Sequence, residues 1–278
     1  LQVPEAAGGV GLGMAAAAVV FEELGRALVP GPLLATHLAA LLLPDVIEGA
    51  ADGSTVVGAV HRRPASGADA LAPTLVAHLT SLDTVVVVAD DGIVAVDPGS
   101  IDAVALSRPL DPLSPMWRVD ALPAGRALAG AEVAGRWRRA ERVLGGAFLV
   151  GLAAANLDMA VAYAKQREQF GKPIGSFQAV KHMCADMLVA AETARAAVHA
   201  AAVTVDQPDV GDADRAAAGA GLLAAEAAFK NGKLSIQVHG GMGFTWEVPA
   251  HLYLMRARVL ADAIGPVDRF ADEVADIY

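Results

Sequence analysis

The longest apolar stretch of the sequence, residues 145–164, limits what this chain can fold into more than any other feature. A stretch of this length can cross a bilayer, so it must lie either in a membrane or in a protein core. Asn156 and Asp158 lie in its middle. Because an aspartate at the centre of a membrane helix costs about 2.5–3.5 kcal/mol, we predict a buried core helix.

The composition supports an ordered, helical protein. Hydrophobic residues make up 55% of the chain and charged residues 19%, which excludes a disordered chain. Much of the apolar content is alanine, which favours helices but contributes little buried area, so we predict helices packed closely over small side chains.

Charge and cysteine content exclude several functions. A net charge of −10 without a long basic run argues against nucleic-acid binding. Cys184 is the single cysteine, and the seven histidines have no metal-binding spacing, so we expect no disulfide framework and no metal site. Residues 1–13 have neither the basic nor the apolar part of a signal peptide. We therefore expect a reducing, cytoplasmic setting.

Three segments that differ in composition and residue pattern follow one another along the chain. Residues 1–44 predict a short helical segment, which we interpret as truncated. Residues 45–130 carry short β-branched runs between turn signals, which predicts a reduced β-domain. Residues 131–278 are helical in pattern to the end. The sequence thus predicts a mainly α fold with a small β-domain, ordered as N-terminal helices, middle β-domain and C-terminal four-helix bundle.

Individual elements are predicted within these segments. The first segment is predicted to form helices at about residues 14–27 and 33–43. In the second, Thr55–Val60 predicts a strand, and Thr84–Val88 and Ile93–Val96 flank an Asp-Gly turn, which predicts a hairpin.

The third segment predicts four helices, at about residues 138–169, 177–204 and 212–238 and from Pro249 onward. Gly171 and Pro173 would end the first of these, and Ser176 would cap the second. Asp212 or Asp214 would begin the third, and Gly240 would end it.

Two short stretches of the helical segment carry candidate binding residues. Residues 167–178 include Arg167, whose guanidinium group suits a phosphate. Residues 237–245 include three glycines in four positions, which let a backbone approach a ligand and expose its N–H groups. Taken alone, each stretch is more simply a helix terminator.

Together, the two stretches resemble the acyl-CoA dehydrogenase family, flavoproteins that oxidise the α,β bond of acyl-CoA thioesters. The pattern RxxFGxxIxxFQ is complete from Arg167 to Gln178, and QxxGGxGF is complete from Gln237 to Phe244. The family's fold is an N-terminal helical domain, a middle β-domain and a C-terminal four-helix bundle. This is the order that the residues themselves predict.

The resemblance implies FAD as the cofactor. In the family, both patterns hold the ADP half of an FAD whose flavin ring lies in the neighbouring subunit. Arginine and bare backbone N–H groups are suitable phosphate ligands, and oligomerisation would be part of cofactor binding. The implied dinucleotide contacts are Arg167, Phe170, Gln178, Gln237, Gly240 and Gly241.

The β segment departs from the family pattern. The TEPxxGSD stretch, which normally touches flavin and substrate, is not recognisable. Residues 60–69 are either its degenerate remnant, with Arg62 and Arg63 in place of the hydroxyl and the acid, or a misaligned part of a divergent domain. As a remnant, this stretch would leave the subunit poorly equipped to hold its own flavin ring.

The catalytic base is the second departure. Most members carry a glutamate in the stretch that corresponds to residues 263–266, where this chain has Ala-Ile-Gly-Pro. A minority place the base in a Glu-Arg pair at the start of the first bundle helix, a position that Glu141 and Arg142 occupy. Glu141 is therefore the candidate catalytic base. The alternative is a surface glutamate paired with Arg138 or Arg142.

Three functions remain open. The first is a subunit of a heteromeric (α2β2) acyl-CoA dehydrogenase, as in actinobacterial steroid side-chain enzymes, in which a longer homologous subunit supplies the flavin pocket. The second is a self-sufficient homodimeric dehydrogenase that uses Glu141. The third is a catalytically silent structural or acyl-CoA-binding paralogue, which the complete ADP-site patterns argue against. We expect an acyl-CoA substrate, an electron-transfer flavoprotein as acceptor, and neither nucleic acid nor membrane as a partner.

Overall fold

The chain folds into two compact units. The computed structural model describes residues 1–5, 8–62, 73–265 and 267–275. The first unit comprises residues 1–13 and 30–141, and the second comprises residues 14–29 and 142–278.

Helices dominate the described chain. They are α1 (Met14–Arg26), α2 (Leu33–Leu42), α3 (Ala131–Gln166), α4 (Gln178–Asp206), α5 (Ala213–His239), α6 (Ala250–Ile264) and α7 (Val267–Ala275). The strands are β1 (Val57–His61), β2 (Thr74–Ala77), β3 (Thr84–Val88), β4 (Gly92–Val96), β5 (Val104–Ala105), β6 (Met116–Val119), β7 (Arg126–Gly130), β8 (Glu168–Gln169) and β9 (Lys172–Pro173). The predicted mainly α fold with a small β-domain is confirmed.

The first unit contains two small sheets. One has the order β1-β3-β4-β7, in which β1 and β3 are parallel and the other pairs antiparallel. The second sheet is antiparallel with the order β2-β6-β5. Valines from both sheets, such as Val85 and Val119, form one buried aliphatic cluster. The predicted hairpin is confirmed, because Val85 pairs with Val96 across β3 and β4.

Helix α3 provides the central core of the second unit. Every residue from Arg142 to Asn156 is buried, so the core helix predicted at residues 145–164 is confirmed. By length and composition, α3 and α4 are the two described helices that could cross a membrane, with 78% and 28% of their apolar windows buried.

Small residues let the helices of the second unit approach closely, as the alanine-rich composition predicts. A Cβ atom at Gly25 of α1 would collide with the carbonyl oxygen of Phe148 in α3, and one at Gly151 would collide with that of Glu22. Further along, the buried Asn231 amide of α5 donates hydrogen bonds to carbonyl oxygens of both α3 and α4, at 3.1 and 3.0 Å.

Several predicted boundaries are wrong, for local reasons. Helix α3 begins at Ala131, because it follows β7 directly, and it ends at Gln166, because residues 168–173 form a hairpin instead. Ser176 does not cap α4: Phe177 holds that position and makes no side-chain cap hydrogen bond. By contrast, Asp212 caps α5 as predicted and accepts from the N–H groups of residues 214 and 215.

Candidate functional site

Both sequence patterns lie at one end of the bundle in the second unit. Short connections join α3 to α4 and α4 to α5, so successive helices run in opposite directions. The end of α3, the start of α4 and the end of α5 therefore lie close together. We call this region, residues 163–182 and 234–246, the motif end.

A shared apolar cluster supports the motif end. Met187 of α4, Val238 of α5 and Ala164 of α3 are buried together, and Ile174 of the first pattern packs against them. Above this cluster, the Tyr163 ring lies 4.4 Å from that of His239. The two patterns, which are far apart in sequence, are thus supported by the same apolar cluster.

The first pattern forms a tight hairpin. Strands β8 and β9 are joined by Phe170 and Gly171, which have φ angles of +55° and +77°. Such left-handed values suit glycine but are uncommon for a phenylalanine, and they cost free energy. The Phe170 side chain is nevertheless 91% exposed. Phe170 thus combines an uncommon backbone conformation with an exposed aromatic ring.

The second pattern ends α5 in glycines, whose backbone no side chain covers. His239 is held by a 2.7 Å hydrogen bond between its Nδ1 and the carbonyl oxygen of Ser235. Gly240 then takes a φ of +59°, and a Cβ atom at Gly240 or Gly241 would meet open space. Phe244 and Trp246, which follow, are 81% and 77% exposed. A ligand therefore has free access to this stretch of backbone.

Cations concentrate at the first pattern although the chain is acidic overall. Residues 165–182 include four cations (Lys165, Arg167, Lys172 and Lys181) and a single acid, Glu168. Lys172 lies over the Phe177 ring at 4.5 Å. Such a local positive charge suits a diphosphate.

An open groove between α3 and α4 adjoins this charge. Its volume is about 610 Å³, and Lys165, Gln166 and Cys184 are among its lining residues. Burial raises the pKa of the Cys184 thiol, which favours its protonated form.

All six predicted dinucleotide contacts lie at the motif end and are exposed: Arg167, Phe170, Gln178, Gln237, Gly240 and Gly241. A guanidinium, two amides, an aromatic ring and bare backbone match the phosphates and adenine of FAD chemically. The residues therefore fit the predicted cofactor. Their individual roles stay predictions.

Glu141 lies in the first unit and is buried. Its side chain is 7% exposed, and its Oε2 lies 2.6 Å from Nε2 of His61, the last residue of β1. The alternative of a surface glutamate paired with a neighbouring arginine is therefore wrong. Arg138 instead bonds the carbonyl oxygen of Ala89 at 2.9 Å.

Arg142, the other arginine considered as a partner, points elsewhere. Two hydrogen bonds, of 2.5 and 2.9 Å, join it to Glu273 of α7. Its guanidinium also lies 5.0 Å from the centre of the Phe270 ring. Both charges of the Arg142–Glu273 pair are thus satisfied within the second unit.

Sequence reasoning missed His61 as a functional candidate. Within residues 60–69 it singled out Arg62 and Arg63, and residues 63–69 lie outside the described part of the chain. The available signal was the position of His61 at the end of a predicted strand, where polar side chains often serve a site.

Within the stretch 263–266, the position of Gly265 does not suit a carboxylate side chain. Its φ is +131°, and a Cβ atom there would lie 2.9 Å from the Phe270 ring. A glutamate at this position would therefore clash with α7.

Among the described residues, no group of three or more His, Cys, Asp or Glu side chains gathers to hold a metal ion.

Comparison with known proteins finds acyl-CoA dehydrogenases. The family profile described as "Acyl-CoA dehydrogenase, C-terminal domain" matches residues 129–275. The chain is 35% identical to the acyl-CoA dehydrogenase IpdE2 of Mycolicibacterium smegmatis, over 96% of this chain and 79% of that protein. It is 37% identical to the acyl-CoA dehydrogenase FadE34 of Mycobacterium tuberculosis over 98% of its length, but it spans only 39% of FadE34.

Solved structures with a similar fold include two that are named as pairs of proteins. The ChsE4-ChsE5 complex from Mycobacterium tuberculosis has a TM-score of 0.81 and 25% identity, covering 99% of this chain and 83% of that one. A variant of the Tcur3481-Tcur3483 steroid ACAD has the same TM-score and coverage at 26% identity.

Proposed function

Because the chain belongs to the acyl-CoA dehydrogenase family, we propose that it is a subunit of an FAD-dependent enzyme that oxidises the α,β bond of an acyl-CoA thioester. FAD is the cofactor of this family. The observation that carries the proposal is the motif end, where six exposed residues chemically suited to a dinucleotide come together.

Residues of this chain would hold the ADP half of the cofactor. Arg167 would bind a phosphate through its guanidinium, and the N–H groups around Gly240 and Gly241 would donate to the same diphosphate. The amides of Gln178 and Gln237 would add hydrogen bonds, and the Phe170 ring would contact the dinucleotide. When bound, FAD supplies the acceptor for a hydride from the substrate.

Glu141 would act on the substrate itself. A carboxylate in this buried position would take the α-proton, while the β-hydride leaves to the cofactor and a carbon–carbon double bond forms. Burial suits this role because it keeps bulk water away from the group that meets the substrate.

We propose a heteromer with a longer homologous subunit as the working assembly. The exposed aromatic rings of the motif end suit a surface that another subunit covers. The similar ChsE4-ChsE5 structure is a complex of two differently named chains. The TEPxxGSD stretch that normally touches the flavin is not recognisable in the β segment, and this also favours a partner that completes the flavin pocket.

The proposed substrate is supported by the relatives, whereas the proposed acceptor and location are those expected from the sequence. The similarity to a steroid ACAD supports a steroid side-chain or branched acyl group as the substrate. We also propose an electron-transfer flavoprotein as the electron acceptor and a cytoplasmic location.

A self-sufficient homodimer is the second candidate. It would use the same buried Glu141 beside His61 as its base. The two candidates differ in where the flavin pocket is completed.

Flavin content separates the two assemblies. We expect the chain purified alone with excess FAD to retain little flavin, and the chain purified with a longer homologous subunit to retain it fully. The measurement is visible flavin absorbance per chain, with free FAD removed by gel filtration. Full occupancy in the lone chain would replace the heteromer with the homodimer.

A further inference from the structure

The Glu141 carboxylate has a specific hydrogen-bond partner in the first unit. Nε2 of His61 lies 2.6 Å from Oε2 of Glu141, a short distance that is typical of a charge-assisted hydrogen bond. The two residues are 80 positions apart in sequence, so the sheet and helix of this unit bring them together. Glu141 is 7% exposed, whereas His61 is 30% exposed.

We propose that His61 is the positioning residue of Glu141: its ring N–H holds Oε2 and leaves Oε1 as the oxygen that accepts the substrate proton. This rests on the proposed function, in which Glu141 is the base. His61 does not touch the substrate in this account. It acts through the carboxylate that it orients.

His61 makes the hydrogen bond to this carboxylate, and two nearby arginines bond other groups. Arg138, one turn before Glu141 on α3, bonds the carbonyl oxygen of Ala89 and lies 3.3 Å from Asp90, both at the β3–β4 turn. Arg62, next to His61 in sequence, is exposed. Arg142 bonds Glu273.

Holding one carboxylate oxygen has a chemical consequence. When the α C–H bond breaks, its proton moves to Oε1 while Oε2 keeps the hydrogen bond from His61. The carboxylate therefore need not rotate, and its accepting oxygen stays in line with the substrate. A misplacement of about 1 Å in such a group costs up to roughly a hundredfold in rate.

A pair of matched substitutions tests this role. His61→Leu removes the donor, and His61→Gln keeps an N–H donor at similar reach. In the flavin-loaded complex, with the best oxidised of a set of straight-chain, branched and sterol-derived acyl-CoA thioesters, we expect His61→Leu to lower kcat about tenfold to a hundredfold. We expect KM to stay unchanged and His61→Gln to restore most of the rate.

A double-mutant cycle separates positioning from a merely structural role. In a Glu141→Gln background, His61→Leu should cause little further loss of rate, because the group it orients is already gone. Fully additive losses, or a normal rate in His61→Leu, would overturn the positioning role alone. A normal rate in Glu141→Gln would instead overturn Glu141 as the base, and the positioning role with it.

A measurement without turnover tests the contact itself. In the full chain with 15N-labelled histidine, we expect a downfield Nε2–H proton signal, assigned to His61 by its loss in His61→Gln. This signal should move upfield in Glu141→Leu, because leucine accepts no hydrogen bond. A signal that is the same in both backgrounds would show that His61 does not hold Glu141 and would overturn the proposal. Unchanged thermal unfolding would confirm that each variant is folded.

Discussion

Replacing Glu141 with glutamine is expected to slow substrate oxidation by about 10²–10⁴, the usual contribution of a positioned general base. Glutamine keeps the size of the side chain and can still accept a hydrogen bond from His61, but it cannot take a proton. We therefore expect FAD content and acyl-CoA binding to persist. Single-turnover bleaching of the flavin by an acyl-CoA, measured in the loaded complex, gives the rate.

Glu132→Gln is the matched control for this substitution. Glu132 lies in the first turn of the same helix, but it is exposed. Its replacement should leave the rate unchanged. If the Glu141→Gln protein bleaches flavin at the wild-type rate, the base lies in the partner subunit, and this chain is a cofactor-sharing half of the enzyme.

Replacing Arg167 with alanine is expected to weaken FAD retention by about tenfold to a hundredfold. A charge-assisted hydrogen bond to a phosphate contributes about 1.5–3 kcal/mol, and Arg167 has an exposed guanidinium at the motif end. The fold itself should not change, because this side chain is not part of the core. FAD affinity of the assembled protein, measured by equilibrium dialysis, gives the effect.

Arg215→Ala provides the comparison. Arg215 is also exposed, but it lies in the first turn of α5, at the opposite end of that helix from Gln237 and Gly240. Its loss should leave FAD affinity unchanged. Equal affinities in both variants would mean that the first pattern is only a helix terminator in this chain.

Elements with a local cause could be predicted from the sequence. The cap of α5 at Asp212 and its end at Gly240 depend on residues next to the helix. The β3–β4 hairpin follows from β-branched runs around an Asp-Gly turn. These features need no knowledge of the rest of the chain, so a pattern of neighbouring residues is sufficient.

Features that depend on distant contacts could not be predicted. Asp206, at the end of α4, accepts hydrogen bonds from the N–H groups of Met14 and Ala15 and so caps α1 from 192 residues away. The division into residues 1–44, 45–130 and 131–278 follows changes in residue composition along the chain. Packing instead assigns α1 to the second unit, which contains the helical bundle. Sequence order alone does not indicate that α1 packs with the helices of the second unit.

The candidate site shows the same contrast. The six predicted dinucleotide contacts could be named because they stand in two short patterns that resemble those of the acyl-CoA dehydrogenase family. His61 was missed because its partner, Glu141, is 80 positions away and only the fold joins them. The hairpin within residues 168–173 was missed because Phe170 adopts a left-handed conformation that its residue type does not favour.

The central claim is that this chain is a working part of an acyl-CoA dehydrogenase, and anaerobic mixing tests it most directly. The chain, loaded with FAD together with its longer homologue, is mixed with straight-chain, branched and sterol-derived acyl-CoA thioesters in the absence of any other acceptor. We predict that at least one thioester bleaches the flavin and that mass spectrometry finds the product with two hydrogen atoms fewer. A complex that binds FAD and these thioesters yet neither bleaches nor forms enoyl-CoA would contradict the account.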